Sequence, residues 1–149
     1  MYKRIAVAVD GSKTSDAALS EAIKLGKVMS SSILLLHVCE EMPVMITPEG
    51  VTLMDTQLLM EAIVKAGNAL LQKCSATVSN AGLVVETLLI ETYGIRTGSE
   101  ISKAAQNSGA ELLVVGTHGR KGIDRLLMGS VAEHVMRTAT MPVLLVRGS

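Results

Sequence analysis

The sequence predicts an α/β fold, a three-layer sandwich in which a five-stranded parallel sheet lies between helices. Short, continuous runs of aliphatic residues recur along the chain and are typical of strands buried on both faces. Between them lie longer segments whose apolar residues repeat at helical spacing, an alternation that indicates βαβ units. The chain of 149 residues, 48% of them hydrophobic and 19% charged, is long and apolar enough to bury such a core.

Each strand is predicted from an apolar run, and each helix from its apolar stripe or its capping residues. The first strand, 5–9, closes on a turn at 10–12, and the last strand begins with Pro142, a position where strands tolerate proline. Thr97 and Glu100 have the spacing of a capping box. In chain order the predicted elements are strand 5–9, helix 14–30, strand 33–38, a long loop 39–54, a helix capped by Asp55 and ending near 80, strand 83–90, helix 97–107, strand 111–115, helix 130–138 and strand 142–146.

Charge, cysteine content and hydropathy argue against several functional classes. The 14 basic and 14 acidic side chains balance, and the chain has no basic stripe of the kind that binds nucleic acid. Two cysteines without a CxxC pair indicate free thiols in a reducing compartment. No apolar run approaches the roughly 20 residues that cross a membrane. We therefore expect a cytoplasmic protein that has neither nucleic acid nor membrane as its partner.

A glycine-bearing segment, 116–129, is the strongest candidate for a binding site. It follows a predicted strand and leads directly into a helix, so its backbone N–H groups and the helix dipole would attract phosphate. Arg120, Lys121 and Arg125 lie in the same segment and would add positive potential. In open parallel sheets, ligands bind beyond the carboxyl ends of the strands, where neighbouring connections leave toward opposite faces.

Neither common nucleotide fingerprint is present, because the chain has no GxxxxGK[ST] and its first βα turn lacks GxGxxG. The glycine pattern is Gly116, two residues, Gly119, nine residues, then Gly129 and Ser130. With the segments IAVAVDGS at 5–12, LHV at 36–38, RLLMGSV at 125–131 and MPVLLV at 141–146, the whole chain resembles the ATP-binding branch of the universal stress protein family.

The resemblance implies one domain, 1–147, and we interpret residues 148–149 separately, as a remnant outside it. It also implies a Rossmann-like sheet of the adenine nucleotide alpha-hydrolase type, with strand order 3-2-1-4-5, which would bring Asp10 beside Gly116. By the same resemblance, base and ribose contacts fall on Ala8, Val9, Asp10, Val38 and Val115, and phosphate contacts on Gly116, Gly119, Gly129, Ser130 and Val131. Ala8 stands where the family often has proline. Asp10 would bind the ribose or help to hold a metal on the phosphates, and the sequence leaves both roles open.

We therefore expect a protein that binds ATP, or AMP or ADP, together with magnesium, and acts as a nucleotide-dependent regulatory or stress-response module. No residue set matches a catalytic constellation or a protein-built metal site. The alternatives are a slow ATPase or self-phosphorylating enzyme, and a nucleotide-free interaction module. The resemblance also implies a homodimer formed through the last strand, and other protein partners are possible.

Three of the candidate residues have simpler interpretations that stay open at this point. Asp10 has the position of a residue that only caps the following helix. Ser130 and Glu133 have capping-box spacing, so that the serine hydroxyl would cap its own helix. His118 either touches phosphate or is exposed without a role.

Overall fold

The computed structural model describes residues 1–40, 46–47, 50–51, 56–92, 97–118 and 128–148. Strands and helices alternate along the main sheet, as predicted. The elements are β1 (Arg4–Ala8), α1 (Lys13–Met29), β2 (Ser32–Glu40), β3 (Ile46–Thr47), β4 (Gly50–Val51), α2 (Thr56–Asn80), β5 (Val85–Thr92), α3 (Thr97–Asn107), β6 (Leu112–Gly116), α4 (Ser130–Thr138) and β7 (Val143–Val146).

The main sheet is parallel and has the order β5-β2-β1-β6-β7. Counted along the chain without the short pair β3 and β4, this is the predicted order 3-2-1-4-5. The central strand is β1, in which Val7 pairs with Leu35 of β2 on one side and with Val114 of β6 on the other. The predicted fold class is therefore confirmed.

Helices cover both faces of the sheet because the side chains of each buried strand alternate between two apolar layers. The first core cluster joins Val7 and Val114 to α1 and α2, and the second joins Ala6 and Leu113 to α3 and α4. None of the helices within the described ranges combines the length and hydropathy that crossing a bilayer requires.

Segment 39–54, predicted as a loop, is partly strand in the structure. β2 continues to Glu40, where it pairs with Thr92 of β5, so the length of its neighbour extends it beyond its own apolar run. Further along, Ile46–Thr47 and Gly50–Val51 form an antiparallel pair. The remaining positions of the segment, and the predicted cap Asp55, lie outside the described residues.

The start of α3 differs from the predicted capping box. Thr97 is the first residue of the helix, and its hydroxyl donates to the Glu40 carboxylate at the end of β2. Glu100 forms an ion pair with Lys103 at 3.1 Å, one turn along the helix. The threonine therefore ties α3 to the sheet.

Candidate functional site

The carboxyl ends of β1 and β6 meet at the centre of the sheet. The chain leaves β1 into α1 on one face, while α4, which follows β6, packs on the opposite face. This is the topological switch point at which open parallel sheets bind ligands. The structure thus brings the residues after the first strand next to those after the fourth strand of the main sheet.

Asp10 organises the start of α1. Its carboxylate accepts a hydrogen bond from the Ser12 backbone N–H at 2.9 Å, and its own N–H donates to the Ser15 hydroxyl oxygen at 3.1 Å. Ser12 is the N-cap, and its hydroxyl oxygen accepts from the Ser15 N–H at 3.2 Å. The carboxylate of Asp10 therefore bonds to the Ser12 N–H that the capping interpretation named, but Ser12 itself is the cap of the helix. A contact between Asp10 and a ligand stays a prediction.

Gly116 packs directly against the first turn of α1. A Cβ atom at this position would lie 2.9 Å from both the carbonyl carbon and the carbonyl oxygen of Thr14. Backbone atoms cannot yield as a flexible side chain can, so the close approach of β6 to α1 requires glycine here. The Thr14 hydroxyl in turn donates to the carbonyl of His118.

Thr117 and His118 connect the starts of two helices. The carbonyl of Thr117 accepts from the Gly129 N–H at 2.8 Å, and its N–H donates to the Val146 carbonyl at 2.9 Å. The carbonyl of His118 accepts from Thr14 in α1. The two residues therefore fix the N-terminus of α4 beside that of α1, and both helix ends carry positive potential.

The predicted capping box at Ser130 and Glu133 is wrong. Gly129 is the N-cap of α4 and makes no side-chain capping bond, and Ser130 is the first helical residue. Glu133 instead pairs with Arg137 at 2.7 Å, one turn further along. A capping side chain must precede the first helical residue, so a helix that begins at Ser130 itself removes this role. Ser130 lies at an exposed position.

Four of the residues assigned to nucleotide contacts belong to one apolar cluster. Ala8, Val38, Val115 and Val131 all pack with the second core cluster, on the face covered by α3 and α4. Ile90 joins the same cluster and pairs with Val38, a contact that the sequence analysis missed. Its only sequence signal was its place at the end of an apolar strand, two residues before Thr92.

Val9 lies apart from those four residues. It is 3% exposed and packs in the first core cluster, toward α1 and α2. Its N–H donates to the Leu36 carbonyl at 2.9 Å, and its carbonyl lies 2.7 Å from Nδ1 of His37. Both backbone groups of Val9 thus have protein partners.

The remaining predicted contacts involve a segment outside the described residues and a metal ion. Gly119 lies outside the described residues, as do Arg120, Lys121 and Arg125. Within the described part of the chain, no three side chains of the metal-ligating types lie close enough together to hold an ion. Magnesium bound to phosphates commonly uses only one or two carboxylates, so Asp10 suits such an ion.

A separate groove of about 810 Å³ runs along α2 between Gln57 and Gln72. Residues of that helix form most of its lining, and no described residue of the switch point contributes to it.

A family model for the universal stress proteins matches residues 1–147. The chain belongs to the universal stress protein family. It is 32% identical to the universal stress protein MJ0531 of Methanocaldococcus jannaschii over 148 residues, which are 99% of this chain and 83% of that protein.

Two solved structures of universal stress proteins have the same fold. MJ0577 of Methanocaldococcus jannaschii superposes with a TM-score of 0.84 at 24% identity, covering 100% of this chain and 98% of that one. A universal stress protein in complex with cAMP superposes with a TM-score of 0.68 at 27% identity, covering 99% of both chains. Some members of the family therefore bind an adenine nucleotide.

Proposed function

We propose that this universal stress protein binds an adenine nucleotide, ATP or its AMP and ADP forms, at the switch point between β1 and β6 and acts as a nucleotide-dependent regulatory module. One observation carries the proposal. An aliphatic cluster at three neighbouring strand ends, Ala8, Val38 and Val115, occurs in the same part of the sheet as two linked helix N-termini. The related structure with bound cAMP supports it.

The two halves of this site suit the two ends of a nucleotide. The base would pack against aliphatic side chains, since Tyr2 is the only Phe, Tyr or Trp residue in the described part of the chain. The phosphates would lie at the start of α4 beside Gly129, where Ser130 and Val131 offer backbone N–H groups and the positive end of the helix dipole, while the Gly129 N–H is held by the Thr117 carbonyl.

Asp10 would contact the ribose or a phosphate-bound magnesium ion. One of its carboxylate oxygens accepts from the Ser12 N–H at 2.9 Å, which orients the side chain. Magnesium would neutralise charge on the phosphates and bring them toward this carboxylate. Asp10→Asn retains an oxygen acceptor for Ser12 and removes the charge, whereas Asp16→Asn, at an exposed position on α1, is the matched control.

The test is isothermal titration of nucleotide-free protein with ATP and magnesium, AMP, cAMP and GTP. Gly129 has φ −62° and ψ 150°, so Gly129→Val fits the local backbone while placing a branched side chain at the start of α4. Ala139→Val is the control, because Ala139 has nearly the same backbone angles (φ −68°, ψ 135°) at the other end of that helix. Circular dichroism checks that both variants fold.

We expect saturable binding by the wild type, weakened at least about tenfold in Gly129→Val and retained in Ala139→Val, since a side chain that displaces the phosphate from one charge-assisted hydrogen bond costs roughly that much. For Asp10→Asn, a loss seen with magnesium but not with EDTA would assign Asp10 to the metal, and an equal loss in both would assign it to the ribose. A nucleotide-free wild type that binds none of these ligands would refute the proposal and favour an interaction module.

Regulation would act through the segments around the site. We expect ATP to slow limited proteolysis at 39–54 or 116–129, and equal cleavage with and without ATP would argue against a switch.

The cytoplasmic location and the absence of dedicated catalysis remain predictions. Turnover of radiolabelled ATP at the background rate would support the absence of dedicated catalysis.

We also propose a homodimer through β7. Its pairing with β6 leaves β7 at one end of the main sheet, and its four residues, Val143–Val146, are only partly buried. The Pro142 carbonyl accepts from the Leu113 N–H of β6, and the Val146 carbonyl accepts from the N–H of Thr117, the residue after β6. In a parallel ladder the alternate residues 143 and 145 therefore turn their backbone groups outward. An open apolar edge of this kind favours pairing with a second copy. Sedimentation equilibrium showing only monomer at tens of micromolar would contradict this proposal.

A further inference from the structure

One peptide group just beyond β1 is held by side chains from two other elements. β1 pairs with β2 as far as Ala8, and the Val9 N–H still donates to the Leu36 carbonyl at 2.9 Å. The next peptide group, between Val9 and Asp10, lies beyond this ladder. Its carbonyl and its N–H need other partners, because backbone polar groups in the interior are nearly always paired.

Two buried polar side chains supply those partners. Nδ1 of His37, in β2, lies 2.7 Å from the Val9 carbonyl oxygen. Oγ of Ser15, in α1, accepts from the Asp10 N–H at 3.1 Å. His37 is 6% exposed and Ser15 is 5% exposed. The carbonyl and the N–H belong to one planar unit, so bonds on its two sides fix its orientation relative to the sheet and to α1.

The surroundings of His37 keep its ring in this orientation. A carbonyl oxygen only accepts hydrogen bonds, so Nδ1 is the protonated ring nitrogen that donates to Val9. A Cβ atom on Gly67 of α2 would lie 2.8 Å from Cδ2 of the ring. The helix backbone therefore packs against the side of the imidazole opposite to Nδ1, and this packing restricts rotation of the ring away from the Val9 carbonyl.

The fixed peptide group sets the direction in which the Asp10 side chain leaves the backbone. The carboxylate in turn accepts from the Ser12 N–H at 2.9 Å. Asp10 is thus attached to β2 through His37 and to the start of α1 through Ser12 and Ser15. A group that is held in place before its ligand arrives binds that ligand without a further cost of ordering.

We infer that His37 and Ser15 are positioning residues, which together hold the peptide group between Val9 and Asp10 so that the Asp10 carboxylate meets the ribose or the magnesium ion of the bound nucleotide. This inference rests on the proposed function, in which Asp10 contacts the ligand. Neither His37 nor Ser15 needs to touch the nucleotide, because each acts through the backbone of Asp10.

The test is isothermal titration of nucleotide-free protein with ATP and magnesium, using His37→Leu, His37→Asn and Ser15→Ala. Leucine removes the donor, whereas the asparagine amide carries an N–H at about the position of Nδ1. We expect the ATP affinity to fall on the order of five- to tenfold in His37→Leu and in Ser15→Ala, the value of one hydrogen bond. His37→Asn should recover most of the affinity.

Ser31→Ala is the matched control for the loss of a buried hydroxyl group. Ser31 is 3% exposed, and its hydroxyl donates to the Tyr2 carbonyl at the opposite end of the same two strands. We expect Ser31→Ala to lower the melting temperature about as much as Ser15→Ala does and to keep the ATP affinity of the wild type.

A double-mutant comparison separates positioning from a general loss of stability. If His37 acts through Asp10, then adding His37→Leu to Asp10→Asn should cause no further loss of ATP affinity, although it should still lower the melting temperature. Adding Ser15→Ala to Asp10→Asn makes the same comparison and serves in its place if His37→Leu does not fold.

The outcomes separate the inference from the function on which it rests. If the wild type binds ATP and either His37→Leu or Ser15→Ala keeps its affinity, the inference is wrong and the proposed nucleotide binding stands. Full affinity in Asp10→Asn would overturn the inference too, as would a loss that is equally large with and without Asp10→Asn, or equally large in His37→Asn and His37→Leu. A wild type that binds no adenine nucleotide would refute the proposed function, and the inference with it.

Discussion

Gly98→Ala should destabilise the protein because the added methyl group would force α3 and α4, the two helices that cover one face of the sheet, to separate. A Cβ atom on Gly98 of α3 would lie 2.6 Å from the Cβ of His134 and 2.7 Å from the carbonyl oxygen of Val131, both on α4. A backbone oxygen in a helix cannot rotate away, so relief requires the helices to separate. The substitution tests whether α3 and α4 are in direct backbone contact.

The expected magnitude combines two opposing effects. Overpacking costs about 1–3 kcal/mol, and contacts as short as these with backbone place Gly98 near the upper end. Alanine recovers up to about 1 kcal/mol through its better helix propensity. The net loss in the free energy of unfolding is therefore about 2 kcal/mol, which lowers the melting temperature of a domain of this size by about 4–8 °C.

The assay is urea and thermal unfolding followed by circular dichroism, with Gly26→Ala as the matched control. Gly26 is also a buried helical glycine, but its added Cβ would meet only the side-chain ends of Leu83 at 3.0 Å and Ile33 at 3.2 Å. These methyl groups can move, so Gly26→Ala should be within about 1 kcal/mol of the wild type. If Gly98→Ala is as stable as Gly26→Ala, the close packing of α3 on α4 is wrong.

Three further perturbations test other contacts. His37→Leu should lower the free energy of unfolding by about 1–3 kcal/mol, because the Val9 carbonyl loses the imidazole 2.7 Å away; unchanged urea unfolding would contradict this bond. Burial raises the pKa of the Cys74 thiol, so the folded state favours its protonated form. The resulting stabilisation is complete below the pKa of this thiol in the unfolded chain, and it is lost as the pH rises through the pKa of the thiol in the folded protein. Rapid reaction of native Cys74 with a disulfide reagent at pH 8 would argue against its burial. The hydrogen bond from Arg4 lowers the pKa of the exposed Glu86 carboxyl. The small stabilisation from this pair is present above the pKa of Glu86 in the unfolded chain, and it is lost as the pH falls through the pKa of Glu86 in the folded protein. Glu86→Gln should flatten this acid limb at low salt and have little effect at high salt.

Most of the main sheet could be predicted because each of its signals lies within a single segment. The strand at the start of the chain and the helix that follows it are visible as an apolar run and an apolar stripe. The sequence patterns alone did not decide which strands are neighbours, and the order of the sheet came from the family resemblance. The structure confirms that order.

The candidate site was predictable in outline and not in its contacts. Sequence spacing placed glycines after a strand and before a helix, and the structure puts Gly116 and Gly129 at those positions. The family resemblance assigned both Ala8 and Val9 to base and ribose contacts, yet their side chains pack on opposite faces of the sheet. Side chains of successive strand residues point in opposite directions, but the strand alone does not say which layer each will join.

The sequence by itself determined the succession of strands and helices and the position of the glycine segment, because periodicity and turn chemistry act between residues close together in the chain. Only the tertiary structure decided how far β2 extends, since its last residues are held by β5. It also decided that Thr14 bonds to His118, 104 residues away, and that Nε2 of His118 has no partner among the described residues. Such hydrogen bonds depend on which distant backbone groups the fold brings together, and no local pattern contains that information.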